Sequence, residues 1–373
     1  ADLRESPDVR REVNLTWMPM TPQSLLEGLY AEPHRLAAAA PHLDDVQRAL
    51  LRRDRGAPWT VSDVPLLDEA AELLGDDDTG GYELKRQAAQ QRQSEVEYAK
   101  GALQISGDAG GLVSAEALAG RFADEGPILS AAERAAVDRT WAYGHVVVDE
   151  AQELSAMAWR LLMRRCPAKS MTLVGDIAQT GSAAGAHSWA EVLDPYVEGR
   201  WRLTELTVNY RTPAQVMTVA SAMLEAAGVT AAAPRSVRDG DVPPTAHLIE
   251  RGDVDAIVAL VRAELDELGE GRLAVIAPAA RVGELQLALA TSLPPGLVAS
   301  GSGALDAPVG VLAVSQAKGL EFDTVVLVEP ARILAASARG ANDLYVALTR
   351  PTQRLRIVHS EPLPAGLETI PEI

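Results

Sequence analysis

The sequence reads HVVVDEAQ at residues 145–152, and this stretch decides the fold. A short continuous apolar run predicts a buried strand of a parallel sheet. Ligands of open α/β sheets bind at the carboxyl ends of such strands, which is where Asp149 and Glu150 fall. One carboxylate there can hold a hydrated Mg²⁺ while its neighbour orients or deprotonates a water. The alternative is a strand that leads into a helix N-terminus, where the helix dipole favours acids.

The sequence from about Gly126 onward alternates between strand-like and helix-like segments. This alternation is typical of an α/β fold with parallel sheets covered by helices. A polar, proline-bearing stretch at 235–244 predicts a loop. The predicted strands are 146–149, 171–175, 245–249, 273–277, 309–314, 324–328 and 355–359, and the predicted helices include 155–165, 213–227, 254–268 and 342–349.

The first 125 residues are predicted to be mostly helical and rich in loops. Leucines between residues 25 and 36 are spaced for a helix face, Pro41 interrupts the pattern, and a second helix is predicted at 43–51. Residues 75–81 form an acidic, glycine-rich stretch that predicts a loop and lacks the EF-hand spacing for a metal. The glutamine-rich segment 84–103 predicts a solvated helix or a linker.

Length, composition and cysteine count indicate a multidomain protein without disulfides. The 373 residues, 47% of them hydrophobic, suffice for two or three domains. The single cysteine, Cys166, excludes a disulfide framework and predicts a reducing, cytoplasmic location. No signal-peptide pattern and no apolar run near the ~18 residues of a membrane span is present, so no membrane partner is predicted. The sequence starts at Ala1 without an initiator methionine, which suggests a fragment or a processed product.

The formal net charge is −18, so the average surface repels nucleic-acid phosphates. A nucleic-acid groove would have to be local, or a partner would have to supply it.

Three further stretches carry polar groups suited to phosphate chemistry. In GDIAQ, residues 175–179, Gln179 can sense a terminal phosphate through a water, or it is a turn glutamine. In NYRT, residues 209–212, Arg211 can pair with phosphate oxygens and Tyr210 can stack on a purine, or Arg211 forms a surface salt bridge. Arg350 ends a predicted helix, where an arginine can stabilise the charge on a transferring phosphate.

Taken in order, DEAQ, GDxxQ, NYR, KGLEFD and YVALTR resemble motifs II to VI of the UvrD/Rep-type superfamily 1 helicases, over roughly residues 140–360. The resemblance implies RecA-like parallel sheets with helices on both faces, in two motor domains with ATP between them. It assigns 1–125 to a mostly helical segment, 126–207 to the C-terminal part of an incomplete first motor domain, and 208–373 to the second.

By position, the resemblance implies roles around the first sheet. Asp149 would bind Mg²⁺ and Glu150 would be the catalytic base for the attacking water. Gln152 and Gln179 would link the γ-phosphate of ATP to nucleic-acid or partner contacts. Tyr210 would stack on the base of the nucleotide.

It also implies roles for the second domain. Arg211 would reach the γ-phosphate, Glu321 would bond the ribose, and Arg350 would be the arginine finger. Lys318 and Gly319 would shape the loop that couples the two domains.

The phosphate-binding loop GxxxxGK[ST] does not occur in the sequence. It needs backbone N–H groups and a lysine around the phosphates, yet none of the four lysines follows a glycine. The simplest expectation is that an N-terminal part with this loop lies on another polypeptide or was removed, so that the chain alone has negligible ATPase activity until that part is added. The alternative is a degenerate homologue that does not hydrolyse ATP.

Other departures weaken the expected DNA contacts and point to one branch of the superfamily. Residues 181–187 lack the usual aromatic, Ser315 replaces a histidine, and only about thirty residues separate 277 from 309, too few for an inserted domain. These features, with stretches 3–12 and 56–70, resemble the actinobacterial HelD (helicase IV-like) proteins, whose ATP-driven motor frees RNA polymerase from nucleic acid. A conventional DNA helicase or translocase and a non-catalytic partner-binding module remain as alternatives.

Overall fold

The computed structural model describes residues 20–75, 138, 140–229 and 234–373, together with residues 9, 11 and 12. The chain divides into two compact units, Ala1–Tyr143 with Arg160–Pro167 and Gly144–Trp159 with Ala168–Ile373. The predicted acidic loop and the glutamine-rich segment 84–103 lie mostly or wholly outside the described residues. In the part of the chain that is described, no helix has the length and apolarity needed to cross a membrane.

The described part of the first unit begins with short helices, as predicted. They are α1 (Pro22–Ala31), α2 (Pro33–Ala39), α3 (Asp45–Leu51) and α4 (Val64–Leu74). The hydroxyl of Thr21 caps α1 by accepting from the Ser24 N–H at 3.1 Å. The leucine pattern between residues 25 and 36 is split between two helices because Pro33 starts α2, a position at which proline loses no hydrogen bond.

A buried ion pair joins two parts of this unit. The side chain of Asp63 is almost fully buried and accepts two hydrogen bonds from the Arg53 guanidinium, at 2.5 and 2.8 Å. These bonds hold the pKa of Asp63 well below its usual range, against the opposing effect of burial. Arg53 also lies over the ring of Tyr30, 4.4 Å from its centroid.

The rest of the chain alternates between strands and helices, and its strands are all parallel. The strands are β1 (Val146–Val148), β2 (Met171–Leu173), β3 (Val208–Asn209), β4 (Arg235–Ser236), β5 (Thr245–Leu248), β6 (Leu273–Ala277), β7 (Val298–Ser300), β8 (Val309–Ala313), β9 (Phe322–Val328) and β10 (Pro351–His359). The helices are α5 (Ala156–Arg165), α6 (Trp189–Val197), α7 (Ala214–Ala226), α8 (Val254–Leu268), α9 (Val282–Ser292), α10 (Val314–Ala317), α11 (Pro330–Ala335) and α12 (Gly340–Leu348).

The six-stranded sheet has the order β5-β10-β9-β6-β8-β7, and helices cover both of its faces. Successive strand residues point to opposite faces. Ile276 and Leu327 therefore pack in one buried cluster with α7 and α12, while Val275 and Val326 pack in the other with α8 and α9. The predicted RecA-like α/β arrangement, a parallel sheet between helical layers, is confirmed.

All seven predicted strands are present; 273–277 coincides with β6, and each of the other six differs at one end. Strand β9 starts two residues before the predicted segment and β10 four before it, because both pair from residues 322 and 351 onward. The prediction missed β3 and β7. The predicted loop 235–244 is wrong at its start, where β4 pairs with β3. A strand of two residues is too short to leave a periodic signal in the sequence.

Residues 146–148 form the predicted strand, but the prediction that this strand is buried is wrong. Val147 is 69% exposed, and Val146 and Val148 are only partly buried. Within the described residues, β1 pairs with β2 alone, so no second neighbour covers it. Both this sheet and the six-stranded sheet belong to the second compact unit, and the predicted domain boundaries near residues 125 and 207 stay predictions.

Candidate functional site

The two acids lie in the turn that follows β1, and both are exposed. Glu150 adopts a left-handed backbone conformation with φ of 48°, and its N–H donates to Asp149 Oδ1 at 2.9 Å. The turn leads into a 3-10 segment, Ala151–Glu153, and α5 begins only at Ala156. The acids therefore do not cap an α-helix, although Glu150 directly precedes this single 3-10 turn.

A buried glutamine ties this turn to the neighbouring strand end. Gln152 is fully buried; its Oε1 accepts from the Asp176 N–H at 3.1 Å, and its Nε2 donates to Glu150 Oε2 at 2.6 Å. A side chain at Gly175 would collide with Gln152 Oε1, so the glycine permits this close approach. The amide orientation fixed by Asp176 thus directs the donor end of Gln152 at the carboxylate of Glu150.

The turn after β2 places Gln179 next to Arg350, which directly precedes β10 of the six-stranded sheet. Asp176 Oδ1 accepts from the Ala178 N–H at 2.9 Å, and Asp176 Oδ2 accepts from Gln179 Nε2 at 2.9 Å. This leaves Gln179 Oε1 to accept from Arg350 Nη2 at 3.0 Å. Gln179 is therefore both a turn residue and a bridge, since its side chain joins an acid on one loop to an arginine from the end of α12.

Arg350 is the most firmly held member of the site. It is 5% exposed and also donates to the carbonyl oxygens of Val346 at 3.0 Å and Leu320 at 3.2 Å. Burial lowers the pKa of the guanidinium, and the carboxylate of Glu150 opposes that effect. An arginine stays charged even so, so the site contains a fixed cation within electrostatic reach of the predicted base.

Arg211 and Glu321 pair with each other. Arg211 Nε lies 2.5 Å from Glu321 Oε2, and both side chains are about half exposed. The surface salt bridge considered from the sequence is therefore present. An exposed pair of this kind contributes only about 0–1 kcal/mol, so a multiply charged phosphate can compete for Arg211.

The four side chains of Gln179, Tyr210, Arg211 and Arg350 line one cavity of about 230 Å³. Tyr210 is 75% exposed, so much of its side chain is accessible for stacking. Other lining residues are Asp176, Leu206, Val208, Asn209, Thr212, Met217, Pro234, Tyr345 and Thr349. The remaining predicted site residues, among them Asp149, Glu150 and Glu321, do not line it.

Asp149 is the one predicted metal ligand. In the described residues no group of three or more histidine, cysteine or acidic side chains could hold a metal ion by itself. Mg²⁺ keeps several waters and takes one or two carboxylates plus substrate phosphates, so a single exposed carboxylate fits it only together with a nucleotide.

Several residues at the site were missed from the sequence. Burial raises the pKa of Tyr345 to about 12, so its phenol stays neutral on the cavity wall. Glu153 and Asp343 both approach Lys318, and Asn342 Nδ2 donates to the carbonyl of Ala178 at 2.8 Å. The sequence did give one signal, their position beside the motifs, since Glu153 follows DEAQ directly and Asp343 lies two residues before YVALTR.

A family model for the viral superfamily 1 RNA helicase core domain matches residues 123–359. The chain belongs to this superfamily 1 helicase family. Its members are ATP-dependent, helicase-type hydrolases that use ATP and Mg²⁺. The superfamily assigned from the motifs is therefore confirmed, while the UvrD/Rep and HelD branches stay predictions. No curated protein matches the sequence.

Two solved structures resemble parts of this superfamily 1 chain. The C-terminal domain of a possible DNA helicase from Lactobacillus plantarum WCFS1 is 23% identical, with a TM-score of 0.34; the match covers 43% of this chain and 94% of that one. Arterivirus nonstructural protein 10, a helicase in complex with DNA, is 16% identical with a TM-score of 0.33, over 58% of this chain and 40% of the viral one. The chain thus spans less than half of the viral helicase.

Proposed function

We propose that the cavity lined by Gln179, Tyr210, Arg211 and Arg350 is the terminal-phosphate part of an ATP-hydrolysis site in a helicase-family motor. The observation that carries the proposal is the hydrogen-bonded series Asp176–Gln179–Arg350, which brings a phosphate-sensing amide and a buried cation to one place. Pre-oriented donors aimed at developing phosphate charge are the largest contributors to phosphoryl transfer.

The other residues take their proposed roles from their positions around this series. Arg211 leaves its weak pair with Glu321 for the γ-phosphate, and Glu321 is then available to the ribose hydroxyls. Tyr210 stacks on the base at the exposed rim. Glu150, oriented by Gln152, accepts the proton of the attacking water, and Asp149 holds Mg²⁺ against the phosphates.

The chain should bind ATP weakly and turn it over negligibly, because its sequence has no glycine-lysine phosphate loop. Arg211→Ala should raise the Kd for a fluorescent ATP analogue about tenfold, the effect of losing one charge-assisted hydrogen bond. Arg200→Ala, which removes an exposed arginine elsewhere in the same unit, is the control and should leave the Kd unchanged. Equal affinity for the ATP analogue in both variants would contradict the phosphate site.

Rapid ATP turnover by the chain, lost in Glu150→Gln, would show that hydrolysis does not need the glycine-lysine phosphate loop.

We further propose that the motor acts on RNA polymerase, as in HelD-like proteins, rather than on free DNA. A net charge of −18 suits competition for a basic nucleic-acid channel and disfavours a bare phosphate backbone. The loop after Gln179 supports this view: the N–H groups of Gly181 and Ser182 are occupied by Glu153, and residues 181–187 hold no aromatic side chain for base stacking.

Co-sedimentation with core RNA polymerase tests the partner. We expect the chain to bind the polymerase, and added double-stranded DNA to reduce that binding because the two compete for one channel. An unrelated acidic protein of similar net charge is the control and should not bind. Tight binding to single-stranded DNA with none to the polymerase would favour the conventional DNA helicase. Binding to the polymerase by a chain with no measurable affinity for ATP would favour the non-catalytic module.

A further inference from the structure

One lysine is shared by two carboxylates close to the cavity. Lys318 Nζ lies 2.9 Å from Glu153 Oε1 and 3.8 Å from Asp343 Oδ1. The three residues come from the turn after β1, the loop after α10 and the first turn of α12. Each side chain is roughly a quarter exposed, so water screens the charges only in part.

Glu153 also holds the backbone of the Gln179 loop. Its two carboxylate oxygens accept from the N–H groups of Gly181 and Ser182, both at 2.9 Å. Burial opposes ionisation of Glu153, but these bonds and the ammonium of Lys318 outweigh it and lower the pKa of the carboxyl. The carboxylate of Glu153, in the turn after β1, therefore binds both the Gln179 loop and Lys318, which follows β8 and α10 of the six-stranded sheet region.

The Gln179 loop packs directly against this ion cluster. A Cβ atom at Gly181 would collide with Lys318 Nζ and Asp343 Oδ1. On the same loop, the carbonyl of Ala178 accepts from Asn342, the neighbour of Asp343 on α12. The turn that carries Gln179 is thus in contact with Asn342 and Asp343, which both lie on α12. Arg350 follows that same helix.

We infer that Glu153, Lys318 and Asp343 are positioning residues that keep Gln179 aligned with Arg350 at the terminal phosphate. The inference rests on the proposed function, since alignment matters only if that pair meets a phosphate. Hydrogen bonds weaken steeply with distance and angle, so a loop that shifts on losing its ionic partner loses the Gln179–Arg350 contact first. None of the three side chains needs to touch the nucleotide.

The preference for ATP over ADP tests this inference. Lys318→Met keeps an unbranched side chain, one atom shorter, and removes the charge. It should reduce the ratio of the ADP Kd to the ATP Kd about fivefold or more while leaving the ADP Kd unchanged. Lys318→Arg should retain the preference. Lys169→Met is the matched control, because Lys169 donates to the carbonyl of Tyr196 in the same unit and lies outside the ion cluster. Both Kd values follow from titration with fluorescent ATP and ADP analogues.

The outcomes separate this inference from the proposed function. If neither Lys318→Met nor Arg350→Met changes the preference for ATP, the proposed phosphate site is wrong. If Arg350→Met abolishes the preference and Lys318→Met does not, only the positioning role is overturned. An equal loss of affinity for ATP and ADP in Lys318→Met would assign it a purely structural role and likewise overturn it. Should Lys318→Met fail to fold, Glu153→Gln removes the charge, keeps one acceptor for the loop amides and must show the same selective loss.

Discussion

Replacing Gly340 with alanine is expected to lower the free energy of unfolding by about 3 kcal/mol, the upper part of the range for overpacked interiors. Gly340 is the first residue of α12, and a Cβ atom there would overlap the carbonyl group of Leu334 and lie 3.0 Å from the carbonyl oxygen of Ile333. The obstructing atoms are backbone, so no side-chain rotation can relieve the overlap. The helix itself must move, and Asn342 and Arg350 move with it.

Gly283→Ala is the matched control. Gly283 lies in the first turn of α9, and nothing lies within 4 Å of the place where its Cβ would stand. Alanine is favoured over glycine in helices by roughly 0.5–1 kcal/mol, so this variant should be slightly more stable than the parent. Urea unfolding followed by circular dichroism measures both changes. If the two variants have the same midpoint, the close approach of α12 to residues 333–334 is not as described.

Arg350→Met is expected to affect both stability and nucleotide binding. Without the guanidinium, the carbonyl oxygen of Leu320 and the side-chain oxygen of Gln179 lose this donor, while the carbonyl oxygen of Val346 keeps the N–H and hydroxyl of Thr349 as donors. Unsatisfied buried acceptors cost about 1–3 kcal/mol each before the structure relaxes, so we expect about 3 kcal/mol in total. The Kd for ATP should rise at least tenfold because a fixed cation at the terminal phosphate is gone.

Arg354→Met provides the comparison for that variant. Arg354 lies four residues further along the chain, on β10. It pairs with the exposed carboxylate of Glu267 and lies 3.6 Å from the buried Glu264, which Arg356 also holds. Its loss should change stability by less than about 1 kcal/mol and leave ATP binding as it was. Urea unfolding and titration with a fluorescent ATP analogue give the two quantities. Unchanged ATP affinity in Arg350→Met, with the expected loss of stability, would restrict Arg350 to a structural role.

The strands could be predicted because their sequences leave little choice. The runs at 273–277 and 309–313 are apolar, short and bounded by turn residues, and both form fully buried central strands. The polar residues that end β1 and β2 were expected at one sheet edge, and the hydrogen bond between Gln152 and the backbone of Asp176 puts them there. Local pattern and chain order were sufficient for these features.

Contacts between distant residues could not be predicted in the same way. Lys318 and Glu153 are 165 positions apart, and neither periodicity nor propensity relates them. The pairing of Arg211 with Glu321 depends equally on how two loops meet. The exposure of Val147 was missed for a related reason: a valine run indicates a strand, but burial depends on the neighbours of that strand, which are not encoded in the run itself.

Of the three sheets in the described chain, the β1–β2 sheet and the six-stranded sheet contribute opposite edges to the cavity. Asp176 and Gln179 follow the carboxyl end of β2, whereas Arg350 precedes the first residue of β10, where its carbonyl accepts from the Phe322 N–H at 3.1 Å. Strand β9 has seven residues, and at about 3.3 Å per residue its far end lies roughly 20 Å from that start. There, Glu329 is buried against Ser360. The Glu329 end of the sheet therefore lies far from Arg350, and none of its residues lines the cavity.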